Sequence, residues 1–188
     1  MTDKDVSLLC ATWVMAWATI AAAIAAIVSA FFARKAVSDQ AKNFSQQIAD
    51  YRLALSADTV LKFDASFNDP KFEKIRSKAA HALLTKQNEE EAEDVFDFFD
   101  SVGLFVRLGA LKEEIAYAVF FHWINLYWRA GKNHIGAKQK DTASVWKDFE
   151  LLYHQVSEIE KQKHADSEDL KMTEDRLRSQ LQDEIDLV

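Results

Sequence analysis

The sequence is poor in the residues that form turns and cross-links. Its 188 residues include four glycines, one proline and one cysteine. Sheet-rich folds need many tight turns, and tight turns depend on glycine and proline, so we do not expect an all-β or Rossmann-type fold. A single cysteine, Cys10, excludes an internal disulfide framework and a cysteine zinc site. The composition therefore predicts an all-α protein.

Positive charge and catalytic motifs are also scarce. The 23 Lys and Arg residues are outnumbered by 30 Asp and Glu residues, giving a net charge of −7, so we expect no nucleic-acid partner. None of the five histidines forms a metal-binding pair, no glycine loop could cradle a phosphate, and no serine lies in a nucleophile elbow. We therefore expect neither an enzyme nor a bound cofactor or metal.

One long segment, by contrast, has no charge at all. Val6 to Ala33 is an uncharged run whose length as a helix, about 42 Å, exceeds the ~30 Å hydrocarbon core of a bilayer. A cleaved signal peptide would need a positive N-terminal region, whereas Asp3 and Asp5 flank Lys4 here. We predict that residues 1–35 form a membrane anchor. Arg34 and Lys35 follow the run, so the positive-inside rule predicts an external N-terminus and a cytoplasmic C-terminal domain.

Small side chains on one face of this predicted span favour self-association. Helix backbones approach closely in lipid where small residues recur every four positions. The positions that we assign to such a contact are Ala18, Ala22, Ala26 and Ser29. A chance segregation in an alanine-rich anchor is the alternative.

An apolar stripe continues beyond the span. No glycine or proline interrupts residues 36–68, which we predict to be a helical stalk. Its apolar residues follow the 4-3-4 spacing of a short coiled coil, and the positions that we assign to self-association are Phe44, Ile48, Tyr51 and Leu55. With only about three heptads, the stripe could equally pack on the protein's own domain.

The remaining sequence predicts a compact cytosolic domain of about four helices, residues 69–164. Asn68-Asp69-Pro70 marks the end of one helix and the start of the next. The apolar periodicity predicts helices at Lys71–Thr85, Glu91–Leu108, Lys112–Arg129 and Thr142–His164, with a basic loop at Gly131–Lys140. Residues 165–188 are acidic and sparsely apolar, so we predict a charged tail, either marginally helical or disordered.

Four polar residues form a narrow strip on the most hydrophobic helix: Glu114, His122, Asn125 and Arg129. The strip is either the one solvent-facing edge of that helix or a small ligand site in an aromatic surround, with Arg129 available for an anion. The sequence leaves both interpretations open.

Two kinds of charged cluster have simpler interpretations. Asp94, Asp97 and Asp100 have a spacing that could hold a divalent cation, but the opposite face is apolar, which favours a solvated acidic surface. Basic clusters, at Lys71 to Lys78 and at Arg129 to Lys140, are suited to an anionic membrane leaflet or are ordinary solvated faces.

Four short runs in the domain resemble a known family. They are Phe98–Gly103, Val106–Leu111, Tyr127–Trp128 and Trp146–Leu151. In this order they resemble the pattern of a family of uncharacterised, mostly bacterial, single-span membrane proteins with a helical cytosolic domain of unknown function. Asp100 stands where that family more often has Glu. The resemblance implies a membrane-anchored helical domain in the bacterial inner membrane, without known catalysis, and assigns no functional residues.

Together these observations predict a single-pass membrane-anchored interaction or scaffold protein. Its expected partners are the lipid bilayer, further copies of the same chain and a protein that the sequence does not identify. The alternative is an oligomeric membrane effector or pore, of the toxin or phage-defence type, gated by a ligand on the cytosolic domain. A soluble helical enzyme is the least favoured interpretation.

Overall fold

The computed structural model describes the chain from residue 53 to residue 187 without a gap. Ten earlier residues are also described, at 34–35, 40, 43–44, 46–48 and 50–51. Two compact units divide the chain, Met1–Asp50 and Tyr51–Val188.

Most of the predicted anchor, residues 1–33, lies outside the described residues. The small residues assigned to self-association, Ala18, Ala22, Ala26 and Ser29, lie outside them as well. In the part of the chain that is described, no helix combines the length and apolarity needed to cross a membrane.

The described part of the second unit contains helices and no strands. Residues 53–67 are helical and are named α1. The helices that follow are α2 (Pro70–Thr85), α3 (Glu93–Arg107), α4 (Glu113–Asp141), α5 (Lys147–Lys163) and α6 (Glu174–Ile185). One turn of 3-10 helix, Glu89–Ala92, precedes α3. The prediction of an all-α fold is confirmed for these residues.

The first two helices meet at the turn that the sequence predicts. Asp69 is the N-cap of α2, and its Oδ1 accepts a hydrogen bond from the Lys71 backbone N at 2.8 Å. Pro70 occupies the first helical position, where its missing N–H costs nothing. At the other end, Lys86 closes α2 in the left-handed conformation, with a φ of 56°.

The third helix ends as predicted, beside Gly109. This residue has a φ of +70°, which glycine adopts without steric cost. The backbone N–H groups of Ala110 and Leu111 both donate to the Phe105 carbonyl at 3.0 Å, closing the turn. Leu111 is buried and begins the approach to α4.

The predicted basic loop at Gly131–Lys140 is wrong, because α4 continues as helix to Asp141. Glycine costs about 1 kcal/mol in a helix relative to alanine, which makes it typical of loops. Here the missing side chain of Gly131 makes room for the ring of Phe96, which a Cβ would overlap. Ile135, one turn further along, is completely covered. Tertiary packing therefore outweighs helix propensity.

Part of the predicted charged tail is helical, which is one of the two alternatives that the sequence left open. Residues 174–185 form α6, which packs against α2 and α4 and buries Leu181 and Glu184. A buried ion pair, described below, joins α6 to α2.

Aromatic rings dominate the core and bring α1 into it. Phe67, at the end of α1, is fully buried, with its ring centroid 5.2 Å from that of Phe98, 5.7 Å from Phe99 and 5.8 Å from Phe120. The last part of the predicted stalk, residues 53–67, is thus packed on the helical domain through one face. Other fully buried rings are Phe96, Phe149 and Tyr127.

Candidate functional site

The four residues of the predicted polar strip do not converge on one pocket. Glu114 and His122 are exposed, Arg129 is half-buried and Asn125 is buried. Fifteen residues of helix place Arg129 about 22 Å from Glu114 along the axis of α4. Glu114 lines a separate groove of about 460 Å³ beside His154. The structure therefore brings only Asn125 and Arg129 together.

These two residues hold the segment that leads into α6. The Nδ2 group of Asn125 donates to the Asp169 carbonyl at 2.9 Å, and its Oδ1 accepts from Arg129 Nε at 2.8 Å. A second guanidinium nitrogen of Arg129, Nη2, donates to the Leu170 carbonyl at 2.7 Å. Two of the four strip residues, Asn125 and Arg129, therefore bind backbone carbonyls of the chain itself, and these hydrogen bonds fix both side chains in position.

A buried ion pair attaches α6 to α2. The Nε of Arg76 lies 3.0 Å from Glu184 Oε2, and the two residues are only 4% and 7% exposed. Arg76 was expected on a basic surface cluster, which is wrong, because its guanidinium lies 4.1 Å from the centre of the Phe67 ring. Its Nη1 donates to the Phe67 carbonyl at 3.1 Å. A buried charge is tolerated because it is both paired and hydrogen-bonded.

Two aromatic residues of α4 complete this network. Trp123 Nε1 donates to Glu184 Oε1 at 3.1 Å, and the Tyr127 hydroxyl lies 3.2 Å from Glu184 Oε2. Burial, followed by the negative charge of Glu184, raises the pKa of Tyr127 well above its ordinary value. The hydroxyl therefore remains a donor at physiological pH. The network joins α1, α2, α4 and α6.

A second buried carboxylate, that of Glu160 on α5, contacts the segment between α5 and α6. The Tyr117 hydroxyl donates to Glu160 Oε2 at 2.6 Å, and the Ser167 hydroxyl donates to Oε1. Burial and this hydrogen bond raise the pKa of Tyr117 to about 12. Burial works to raise the pKa of Glu160, but the hydrogen bonds from Ser167 and Tyr117 outweigh it and hold the pKa below its ordinary value.

The runs that carry the family resemblance meet at the junction of α3 and α5. Asp100 Oδ1 accepts hydrogen bonds from the backbone N of Asp148 at 2.9 Å and of Phe149 at 3.0 Å. Arg107 forms a two-pronged ion pair with Asp148, at 2.6 and 3.0 Å. Trp146 Nε1 donates to Asp97 Oδ1 at 2.7 Å. Side chains of α3 therefore cap the start of α5.

This arrangement corrects the interpretation of a solvated acidic face. Asp94 and Asp97 are exposed, although Asp97 accepts a hydrogen bond from Trp146, whereas Asp100 is half-buried and accepts from the backbone of α5. Burial raises the pKa of Asp100, against the lowering effect of its hydrogen bond from the Phe149 backbone. Gly103 belongs to the same junction, since a Cβ there would overlap the Asp148 carbonyl. The residues that carry the family resemblance therefore form the contact between α3 and α5.

A histidine lies between two carboxylates where α4 passes the 3-10 turn. His134 Nδ1 is 3.4 Å from Glu89 Oε2, and its Nε2 is 3.1 Å from Glu93 Oε1. Lys138 Nζ approaches Glu93 Oε1 at 2.8 Å, and this hydrogen bond lowers the pKa of Glu93. No group of three His, Cys, Asp or Glu side chains in the described part of the chain has a metal-binding arrangement.

All four stalk positions assigned to self-association are among the described residues, and all four are exposed. Phe44 and Ile48, in the first unit, are 65% and 40% exposed, and Tyr51 and Leu55, in the second unit, are 70% and 41% exposed. Leu61 is similarly exposed but lies outside the heptad spacing.

Sequence reasoning missed one site, a small cleft between α2, α4 and α6. Its volume is about 70 Å³, and its lining includes four cationic side chains, those of Lys86, Arg129, Lys132 and Arg178. They come from three helices that are far apart in the sequence, so no local motif reveals them. The cluster at Arg129 to Lys140 contained two of the four.

The described part of the chain is all-helical, and the runs that carry the family resemblance join α3 to α5. The chain belongs to the family described as Domain of unknown function (DUF4760), whose model matches residues 16–156. The match includes all four runs that carry the resemblance and ends before α6. Neither a curated protein nor a solved structure gives a match.

Proposed function

We propose that this protein is a single-pass membrane-anchored interaction protein of the bacterial inner membrane, which self-associates through its span and stalk. The N-terminus lies outside, and the helical domain is presented to the cytoplasm. A protein partner, bound by the assembled domains, completes this function. The proposal rests on the membrane anchor predicted from the sequence and on the exposed stripe.

The anchor is supported by the uncharged run Val6–Ala33 and its positive flank, Arg34 and Lys35. A run of this length without a charge is long enough to span the hydrocarbon core. The positive flank favours retention of the C-terminal side in the cytoplasm.

Self-association is supported by the single observation that carries the proposal, the exposure of the stripe. In α1 the domain-facing residues include Ser56, Phe63 and Phe67, whereas Leu55 lies about 100° round the helix from Ser56. Ser56 donates to the Ala110 carbonyl at 3.2 Å, which fixes the rotation of the helix on the domain. Leu55 and Tyr51 are therefore left apolar and uncovered, and a 4-3-4 stripe is self-complementary to a second copy.

Cysteine cross-linking in membranes tests this contact. In a Cys10→Ser background, we expect Ile48→Cys to form a disulfide-linked dimer on mild oxidation, because equivalent stripe positions of two copies face each other. The control is Gln46→Cys, which lies about 160° away on the same helix. Equal cross-linking at both positions, or none at Ile48→Cys, would contradict the proposed contact.

Reporter fusions test the orientation. A reporter attached after Val188 should be active only in its cytoplasmic form, and one attached before Met1 only in its external form. The reverse pattern would overturn the orientation, and recovery of the untagged chain in a carbonate-washed soluble fraction would overturn the anchor.

The effector or pore alternative has less support. The four residues predicted to hold its ligand do not line one pocket, because Glu114 and Arg129 border separate grooves at different points along α4. Dye leakage from liposomes carrying the full chain would be the observation that favours it.

A further inference from the structure

The cationic cleft has the composition of an anion-binding site. Lys86 comes from the end of α2, Arg129 and Lys132 from α4, and Arg178 from α6. One carboxylate, that of Glu174, also lines the cleft, which leaves an excess of three positive charges. Because like charges repel, an anion bound among these four side chains would lower their mutual repulsion.

Three of these cations have no partner within the described part of the chain. The ion pairs there involve other basic residues, such as Arg76, Arg107, Lys138 and Arg176. Lys86, Lys132 and Arg178 are exposed and are absent from the side-chain hydrogen bonds of that part too. Their donors are therefore available to a ligand.

The fourth cation is fixed in advance. Two nitrogens of Arg129 are held by Asn125 and by the Leu170 carbonyl, at 2.8 and 2.7 Å. These bonds fix the guanidinium plane of Arg129, a residue that lines the cleft. A locked guanidinium loses little conformational entropy when it binds an anion.

Lys86 has a backbone conformation that is uncommon for lysine. It closes α2 with a φ of 56°, a left-handed conformation that glycine adopts more readily than lysine. The fold alone would favour glycine here. A lysine at this point places a cation at the cleft, at some cost to the helix end.

We propose that the cleft binds a phosphoryl group, carried either by a phospholipid headgroup or by a soluble phosphorylated ligand. A cavity of about 70 Å³ has room for one tetrahedral oxyanion, since a water molecule fills about 30 Å³. A phosphate monoester carries about −1.5 to −2 charges at pH 7, which suits the excess of three cations. Because the cleft joins α4 to α6, a bound phosphoryl group holds α6 in place.

This inference does not depend on the proposed self-association, because none of its residues belongs to the stripe. Its test uses the full chain in dodecyl maltoside micelles, with intrinsic tryptophan fluorescence as the signal for thermal unfolding. The probes are inorganic phosphate and, separately, micelles doped with phosphatidic acid or with phosphatidylcholine. We expect phosphate or phosphatidic acid to raise the unfolding midpoint saturably, and phosphatidylcholine to raise it less.

Charge-neutral variants show whether the cleft is responsible. Each of Lys132→Gln and Arg178→Gln should weaken binding by about tenfold, because each removes a charged hydrogen bond. The matched controls are Lys78→Gln and Lys140→Gln, which remove the same charge from exposed positions on α2 and α4 outside the cleft. Their affinity should equal that of the wild type.

Lys86→Gly separates binding from folding. Glycine suits the left-handed conformation, so the midpoint without ligand should stay the same or rise, while the affinity for the probe falls. A shift with phosphatidic acid but not phosphate assigns the site to a lipid headgroup, and a shift with both assigns it to phosphoryl groups in general. Absence of any shift, or equal affinity in the cleft and control variants, would overturn the inference.

Discussion

Single side chains in this protein set the geometry between helices, and Asp100 is the clearest case. Its carboxylate accepts from two backbone N–H groups at the start of α5, although it belongs to α3. Trp146, which precedes α5, has a φ of 50° and provides no cap of its own. The first turn of α5 therefore depends on a side chain from another helix.

Asp100→Ala should lower the free energy of unfolding by about 1–2 kcal/mol, the usual cost of losing a helix cap. Urea denaturation of the full chain in mild detergent, followed by tryptophan fluorescence, measures the loss. Asp94→Ala is the matched control, because Asp94 is exposed on the same helix. An equal effect of the two substitutions would show that Asp100 is no cap.

Two glycines should respond to alanine with opposite signs. Gly103→Ala should destabilise by about 1–3 kcal/mol, since the added Cβ overlaps the Asp148 carbonyl and forces α3 and α5 apart. Gly136→Ala meets no neighbouring atom and should stabilise by up to about 1 kcal/mol through helix propensity. Thermal unfolding of both variants measures this difference, and a shift of the same sign in both would contradict it.

The pH dependence of Tyr117→Phe follows from Glu160. The hydrogen bond from Tyr117 helps to hold the pKa of Glu160 below its ordinary 4.5. A depressed pKa stabilises the fold above the unfolded value and loses that contribution as the pH falls through the folded value. Tyr117→Phe should therefore cost about 1 kcal/mol at pH 7 and progressively less below pH 4.5.

Urea denaturation at a series of pH values, in wild type and variant, gives the difference directly. Tyr153→Phe is the control, because the Tyr153 ring stacks on Trp128 but its hydroxyl bonds to none of the described residues. A Tyr117→Phe effect that stayed constant from pH 7 to pH 3 would contradict the role of Glu160.

At the level of the helices, the docking of α6 on the domain is not predicted by hydrophobic periodicity. Its few apolar residues predicted a tail, yet it is docked by Glu184, which pairs with a residue 108 positions earlier in the chain. Hydrophobic periodicity identifies α3 because its buried face consists of apolar residues and one glycine. It cannot identify an element that contacts the domain through a distant ion pair, nor the extension of α4 past two glycines, of which Gly131 packs against the ring of Phe96.

Removing one member of the buried pair should release α6. Glu184→Ala leaves Arg76 buried and uncompensated, and should destabilise by about 3 kcal/mol or detach α6. Hydrogen exchange of α6, together with urea denaturation, measures both outcomes. The double variant Arg76→Met/Glu184→Leu should recover most of the loss, because no unpaired charge remains.

The control for this pair is Asp183→Ala, at the exposed neighbouring position on α6. Exchange rates in α6 should match those of the wild type in that variant. If Glu184→Ala left exchange and stability as unchanged as Asp183→Ala does, the ion pair would not be what holds α6.

For the whole molecule, the sequence predicted the helical architecture better than the site. The residues of the polar strip share one face of one helix, which made a ligand site possible. Their separation along the helix axis prevents a common pocket. The cationic cleft was missed for the opposite reason, since its residues meet only after α2, α4 and α6 have packed. A single sequence indicates faces of helices, whereas sites that join helices require the packed structure.

Self-association through the stripe can be measured as the protein-only mass of the chain in mild detergent. Light scattering on the full chain should give a defined multiple of 21.4 kDa. Tyr51→Lys should reduce that mass, because it places a charge at the centre of the contact. Leu61→Lys, at an equally exposed apolar position outside the stripe, should leave it unchanged. A mass of 21.4 kDa for the wild type, or the same oligomer in Tyr51→Lys, would contradict self-association through the stripe.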